Sequence, residues 1–184
     1  MMRLMGAVLA GGRSSRFGSD KARAMLDGRS LLEHAVAALG RQVETVAVCG
    51  RQVEGMIGLA DRPAADMGPL GGLNAALHHA RALGYDAVLT TGCDVPAYPD
   101  GLAEALIGQG AAILKGQQLI GFWPASLAGE LDAHLAEENN RSIRGWLERV
   151  GARIVERPEF VLPNINRTED LERLTRPGRD GRQA

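Results

Sequence analysis

Leu4-Met5-Gly6-Ala7-Val8-Leu9-Ala10-Gly11-Gly12-Arg13-Ser14-Ser15-Arg16-Phe17-Gly18-Ser19-Asp20-Lys21 passes from an unbroken apolar run to glycines and cations within a few positions. The run from Leu4 to Leu9 carries no polar residue and reads as a strand buried on both faces, the kind found in parallel sheets. Gly11, Gly12 and Gly18 then let backbone amides approach an anion closely, in conformations closed to other residues. Arg13, Arg16 and Lys21 add fixed positive charge, and Ser14 and Ser15 add hydroxyl donors. The whole segment from Leu9 to Lys21 suits a triphosphate. Two familiar phosphate loops are excluded: no Gly-Lys-Ser/Thr follows four spacer residues, and Gly11-Gly12-Arg13 does not supply the dinucleotide fingerprint GxGxxG.

Outward from this loop, short apolar runs alternate with helical patterns. Ser30 to Leu39 is predicted to be a helix with Ser30 and Glu33 as a capping box and Gly40 as its stop. Thr45–Cys49 and Ala87–Thr91 read as strands, and Leu70–Leu83 as a helix between them. Asp100–Ile107 reads as helical, and Ala111–Leu114 and Leu119–Trp123 as extended. Leu127–Glu137 and Ser142–Val150 read as helices, Ala152–Val155 as a late strand, and Thr168–Leu174 as a final capped helix. Such alternation predicts an α/β fold with a mostly parallel central sheet, covered on both faces. One domain over residues 1–175 is expected, followed by a polar, frayed tail over 176–184.

The composition narrows the function class. With 45% hydrophobic residues among 184, the chain can bury a core. A net charge of -1 gives no support to nucleic-acid or membrane-surface binding. Two cysteines without CxxC spacing suit a reducing compartment rather than a disulfide scaffold or zinc site. The N-terminal apolar run is too short to span a bilayer and lacks a secretory layout, so the cytoplasm is expected. All but two of the 21 basic residues are arginines, which singles out Lys21 at the end of the loop.

Three further features carry chemistry. Asp94 follows the buried run Ala87–Thr91 and precedes Val95-Pro96, at the carboxyl edge where ligands bind in such sheets. Magnesium prefers one or two carboxylates plus phosphate oxygens and water, so Asp94 is a candidate ligand as well as an ordinary turn aspartate. Asn164 and Asn166 alternate about Ile165 and point the same way if extended; their amides suit a metal shell or a phosphate, or simply a turn. Asp61, with Gly68-Pro69-Leu70-Gly71-Gly72-Leu73, would let a flat base or ribose approach the backbone, Asp61 accepting from a guanine edge or a ribose hydroxyl. His78 and His79 are adjacent and cannot form an i, i+4 metal pair. Trp123 and Trp146 read as core or pocket walls.

The segment Leu9 to Lys21 resembles the signature loop LAGG-x-S-x-R-M-G-x-D-K of the molybdenum cofactor guanylyltransferases, with Phe17 in place of methionine. Gly68-Pro69-Leu70-Gly71-Gly72-Leu73 is similar to that family's GPL-x-G segment, Cys93-Asp94-Val95-Pro96 to its CD-x-P loop, and Gly121-Phe122-Trp123-Pro124 to its G-L-W-P stretch. Arg144-Gly145-Trp146-Leu147 and Asn164-Ile165-Asn166 also fit, so the resemblance runs from about Arg3 to Leu174. Asp20 before Lys21 favours this family over related cytidylyltransferases. Two positions depart from it: Gln117 and Gln118 stand where His-Pro is common, and Arg167-Thr168 where Thr-Pro is usual.

The resemblance implies a three-layer, Rossmann-like nucleotidyltransferase fold of the GT-A type. It implies transfer of GMP from GTP to the terminal phosphate of molybdopterin, releasing pyrophosphate, with magnesium (manganese as a substitute) as the cofactor. The implied nucleotide site comprises Leu9, Ala10, Gly11, Gly12, Arg16, Lys21, Asp61, Gly68, Pro69, Leu70 and Asp94. Asp94 would hold the metal with Asn164 or Asn166, and Arg16 and Lys21 would neutralise the triphosphate. Molybdoenzymes or other cofactor-assembly proteins are the implied partners. A cytidylyltransferase, another small-molecule nucleotidyltransferase, or a non-catalytic GTP-binding module that serves cofactor assembly shares these features, the last supported only by Gln117 and Gln118.

A charge pair at about 4 Å and an effective dielectric of about 20 is worth about 4 kcal/mol. That is on the order of a thousandfold in an equilibrium or rate. Lys21→Ala is therefore expected to weaken GTP binding much more than GMP binding in calorimetric titrations. Equal losses for the two nucleotides would contradict the assignment of Lys21 to the triphosphate.

Overall fold

Why the apolar runs are continuous is clear in a computed structural model of the chain, which describes residues 2–11, 21–137, 142–160, 162, 165 and 170. Strand β1 (Leu4–Leu9) is buried on both faces along nearly its whole length. Met5, Ala7 and Leu9 point into one apolar cluster, and Val8 and Ala10 into the other. Alternate residues of a strand leave opposite faces, so a strand between two helical layers has no polar side.

The chain continues through a short 3-10 helix (Lys21–Arg23), strands β2 (Met25–Leu26) and β3 (Arg29–Ser30), helix α1 (Leu31–Gly40), β4 (Thr45–Cys49) and β5 (Ile57–Leu59). Helix α2 (Gly68–Ala82), β6 (Ala87–Gly92), α3 (Leu102–Leu106), β7 (Ala112–Leu114) and β8 (Gln117–Pro124) follow. Helices α4 (Ala128–Ala136) and α5 (Ile143–Arg149) and strand β9 (Arg153–Val155) complete the described elements. Seven strands form one sheet in the order β5-β4-β1-β6-β8-β7-β9, and β2 pairs with β3 apart from it. Strands β5, β4, β1 and β6 are mutually parallel; β8 alone runs against its neighbours, while β9 pairs parallel with β7. The expected mostly parallel α/β sheet is therefore present, with one reversed strand made possible by the tight β7–β8 connection.

Each helix forms for a local reason. Ser30 accepts from the Glu33 amide at 3.2 Å, and Glu33 accepts from the Ser30 amide at 2.7 Å, closing the expected capping box on α1. Ser142 likewise accepts from the Gly145 amide at 3.0 Å and starts α5. Helix α2 begins at Gly68, two residues before the expected Leu70, with Pro69 in its first turn, where the missing amide costs nothing. Helix α2 is tied to α4 by one carboxylate: Asn74 donates to Asp132 at 2.8 Å and His78 lies 2.8 Å from its other oxygen. The predicted Asp100–Ile107 helix shortens to α3, and the predicted Leu119–Trp123 strand lengthens to β8. The expected final helix, Thr168–Leu174, falls outside the described residues except for Asp170.

One close backbone approach fixes the geometry of the sheet's carboxyl edge. Gly50 follows β4 at φ 84°, and a Cβ placed on it would collide with the backbone of Gly11, which follows β1. Gly110, at φ 69°, has nothing within 4 Å of such a Cβ. Left-handed conformation costs a non-glycine residue roughly 1–2 kcal/mol. Urea denaturation is expected to show Gly110→Ala losing about that much and Gly50→Ala clearly more. Equal losses at the two positions would contradict the packing constraint.

Candidate functional site

The parallel register sets Leu9 beside Cys49 on one side and Gly92 on the other, so the loops after β1, β4 and β6 leave the sheet at one level. Pairing continues past the strand ends: Ala10 donates its amide to the Cys49 carbonyl at 3.0 Å and Gly50 to that of Leu59 at 2.8 Å. Arg51 reaches back with Nε to the Ala10 carbonyl at 3.1 Å. Above these ends opens a cleft of about 640 Å³, lined by Gly11, Gly50, Arg51, Gln52, Asp61 and Gly68 among others. Its floor is glycine backbone and its walls carry both a cation and a carboxylate.

Asp61 is the most unusual group in the cleft. Its Oδ1 is buried and has no hydrogen-bond partner. Burial pushes the Asp61 carboxyl up, the Met67 amide opposes this by donating to it, and the nearby Asp66 adds to the rise. Space around it is kept by glycines: a Cβ on Gly71 would lie 3.1 Å from the Asp61 Cβ, and one on Gly11 3.7 Å from either carboxylate oxygen. A buried acceptor without a donor costs free energy, so its presence at a cleft wall points to a ligand that brings an N–H or O–H. The neighbouring Cys49 thiol is pushed up to about 12 by burial, with Asp61 adding to the shift, which makes it an inert wall.

Helix α2 starts at the same cleft. The side chain of its N-cap residue, Met67, makes no capping bond, and Gly68 at φ 68° turns the chain into it. Leu9, Pro69 and Leu70 lie beside the main cleft rather than in it, lining an apolar crevice with Thr90, Gln118 and Trp123.

Asp94 leaves the end of β6, half-buried, in a turn closed by the Val95 amide donating to the Gly92 carbonyl at 3.2 Å. A Cβ on Gly92 would occupy the place of Asp94 Oδ1, so the glycine is what allows the carboxylate to fold back over the strand end. The Asp94 carbonyl accepts from the Ile165 amide at 3.1 Å, and Ile165 is fully buried against Leu26 and Leu31. The residue between the two candidate asparagines is thus fastened to Asp94, while Asn164 and Asn166 themselves lie outside the described residues. Gly12 and Arg16 do as well, and Lys21 is placed only through its backbone, at the start of the 3-10 helix.

The structure places Ala10, Gly11, Asp61, Gly68 and Asp94 at the sheet's carboxyl edge. It adds Gly50, Arg51, Gln52 and Asp66, which the sequence reading passed over. Their signal was the same as that of Gly11: a glycine directly after a buried strand, at Cys49-Gly50. Three histidines serve packing and bonding within the fold: His34 bonds the Leu26 carbonyl at 2.7 Å, His78 the Asp132 carboxylate, and His134 is fully buried with its ring 5.4 Å from that of Trp146. Among the described residues no group of three or more His, Cys, Asp or Glu side chains is placed to hold a metal ion.

Known proteins are similar to this chain in sequence and in fold. The family model described as the MobA-like NTP transferase domain matches residues 6–153. A molybdenum cofactor guanylyltransferase of Cereibacter sphaeroides is 36% identical over 185 residues, covering 94% of this chain and 95% of that one. One of Rhizobium leguminosarum bv. trifolii is 37% identical over 157 residues, covering 79% and 75%. The crystal structure of molybdopterin-guanine dinucleotide biosynthesis protein A from Archaeoglobus fulgidus superimposes with a TM-score of 0.74 at 23% identity, covering 93% of this chain and 96% of the other. The chain therefore belongs to the molybdenum cofactor guanylyltransferase family and carries a MobA-like NTP transferase domain.

Proposed function

We propose that this nucleotidyltransferase moves GMP from GTP to the terminal phosphate of molybdopterin, with GTP seated in the cleft above β1, β4 and β5. The orphaned Oδ1 of Asp61 is the observation that carries the choice of base. Guanine presents two neighbouring N–H donors on its edge, which a carboxylate accepts with both oxygens. Cytosine presents a ring nitrogen acceptor beside its amino group and would leave one carboxylate oxygen facing a lone pair. Gly11, where a Cβ would stand 3.7 Å from both Asp61 carboxylate oxygens, and Gly50, packed against it, make a floor of backbone on which the flat base and ribose would lie. From there the triphosphate extends toward the end of β6.

Asp94 fits a magnesium ion by its chemistry: a hard, half-buried carboxylate oxygen at the strand end, fastened through its own carbonyl to the segment holding Asn164 and Asn166. Magnesium takes its remaining ligands from water and phosphate oxygens, so a dense protein cage is not required. When bound it would neutralise phosphate charge and polarise the α-phosphorus; manganese would serve similarly. Lys21 and Arg16 neutralise the triphosphate and the leaving pyrophosphate. Amides of Ala10 to Gly12 orient the phosphates, and no covalent group from the protein is needed. The terminal phosphate of molybdopterin attacks the α-phosphorus of GTP, the bond to the β-phosphate oxygen breaks, and pyrophosphate leaves.

The same reading places the enzyme in the cytoplasm, passing product to molybdoenzymes or cofactor-assembly proteins. No helix among the described residues is long and apolar enough to cross a membrane.

Three outcomes test the reading. Incubation with α-labelled GTP, magnesium and molybdopterin is expected to move the label into a guanine dinucleotide; label that stays in GTP, with a folded enzyme, refutes the function. Asp94→Asn is expected to lower magnesium-dependent turnover on the order of a thousandfold, from the charge arithmetic above. Near-wild-type turnover in a well-folded Asp94→Asn protein would remove Asp94 from the metal. Asp61→Asn is expected to weaken GTP binding roughly ten- to hundredfold, since a hydrogen bond to a charged group is worth about 1.5–3 kcal/mol.

The stability of Asp61→Asn should move the other way. Because the folded state raises the Asp61 pKa, the wild type gives up stability as pH rises from the ordinary aspartate value through the folded one. The asparagine variant is therefore expected to unfold at higher temperature than wild type at neutral pH, with the difference fading as pH falls below the aspartate range. A gain that grows toward low pH would show that Asp61 is not strained by burial.

A further inference from the structure

The carboxyl edge carries a second cleft on the opposite side of Asp94 from the first. It measures about 340 Å³ and is lined by the β7–β8 turn, at Lys115, Gly116 and Gln117, and by the strap after β9, at Glu156, Pro158 and Phe160. Strands β6, β7 and β9 run the same way, so this turn and strap leave the sheet at the same edge as Asp94. Neighbouring strands lie about 4.8 Å apart. Strand β7 is two positions from β6 on one side, and β4 is two positions from it on the other. Asp94 thus stands midway between two clefts, each about 10 Å away across the sheet. A reaction joining two phosphates needs one molecule on each side of the metal carboxylate.

We propose that the second cleft holds the ring end of the phosphorylated acceptor, a flat pterin whose phosphate reaches Asp94. This inference rests on the function proposed above and names the acceptor's binding residues. The cleft's chemistry matches a pterin. Pro158, Phe160 and Leu162 give it an apolar side, and Phe160 and Leu162 are anchored against the core cluster that contains Val95 and Leu102. Lys115, Gln117 and Glu156 give it a polar side, where Lys115 Nζ and Glu156 Oε1 stand 2.8 Å apart.

The pterin edge, an amino group and a ring N–H beside a carbonyl, calls for a carboxylate and a cation next to one another. Glu156 accepts from the two N–H groups, and Lys115 donates to the carbonyl. Their mutual ion pair is exposed and holds them only weakly, so it opens readily to a ligand. The backbone holds the polar side in place, since the Lys115 amide donates to the Val155 carbonyl at 2.9 Å. The strap then runs from Glu156 past Phe160 to Ile165, which bonds the Asp94 carbonyl, so the acceptor cleft and the metal carboxylate share one connected segment.

Two measurements on the full chain test this. Steady-state pyrophosphate release at saturating GTP gives KM for molybdopterin, and quenching of 6-carboxypterin fluorescence reports ring binding without turnover. Glu156→Gln is expected to raise KM for molybdopterin about tenfold, a step of about 1.4 kcal/mol, and to weaken 6-carboxypterin binding by a similar factor while KM for GTP stays put. Lys115→Gln should move the same two parameters in the same direction. Unchanged KM and unchanged pterin binding in both variants, with wild-type melting temperatures, would overturn the assignment. If the wild type releases no pyrophosphate, the proposed function fails. The pterin titration then decides the cleft alone: binding that weakens in Glu156→Gln sustains it, and binding that is absent or insensitive overturns it.

Discussion

Parallel pairing of β1 between β4 and β6 is the constraint on which the rest of the structure depends. It brings three strand ends, at Leu9, Cys49 and Gly92, to one level, and it does so with hydrogen bonds that carry no sequence information. Everything functional is then a matter of what each strand releases at that edge. Strand β1 releases a glycine loop, β4 a glycine that must pass against Gly11, and β6 a carboxylate that folds back over its own Gly92. Burial of the sheet on both faces makes the arrangement rigid, because apolar side chains from β1 enter two separate clusters.

Rigidity of this kind explains how an unfavourable group is tolerated. A carboxylate oxygen without a donor, held near four glycines, does nothing for the stability of the unliganded chain. The sheet and α2 overdetermine its position: the strand before it is short, but the Arg62 amide donates to the Gly71 carbonyl at 3.1 Å and fastens the Asp61 loop to the helix. Functional sites commonly carry such costs, offset by packing elsewhere. In the proposed reaction the cost is recovered when guanine donates to that oxygen, so base choice and strain are one feature.

Much of this was legible in the sequence because the signals were strong and local. An apolar run into glycines marked β1 and its loop, and Ser30 with Glu33 marked the start of α1. Asp94 was visible as a carboxylate straight after a buried run. The missed parts had weak signals for physical reasons. Strand β5 is three residues at the sheet edge with Gly58 at its centre, too short and too exposed to show a period. The reversal of β8 depends on a tight turn at Lys115-Gly116, which leaves no mark on the apolar pattern. Gly50 looked like an ordinary strand terminator, since its role comes from Gly11, almost forty positions away. Arg16, a catalytic candidate, and Asn164 and Asn166, the candidate metal ligands beside Asp94, lie outside the described residues, so their assignment rests on sequence resemblance and on their chain neighbours.

The central claim is that Asp61 and the glycine cleft select guanine for transfer onto a pterin phosphate. Pyrophosphate release measured side by side with GTP and with CTP, in the presence of magnesium and molybdopterin, tests it most directly. The account predicts rapid release with GTP and little with CTP, and a marked narrowing of that ratio in Asp61→Asn. Equal rates with the two nucleotides, or a ratio untouched by Asp61→Asn, would contradict it.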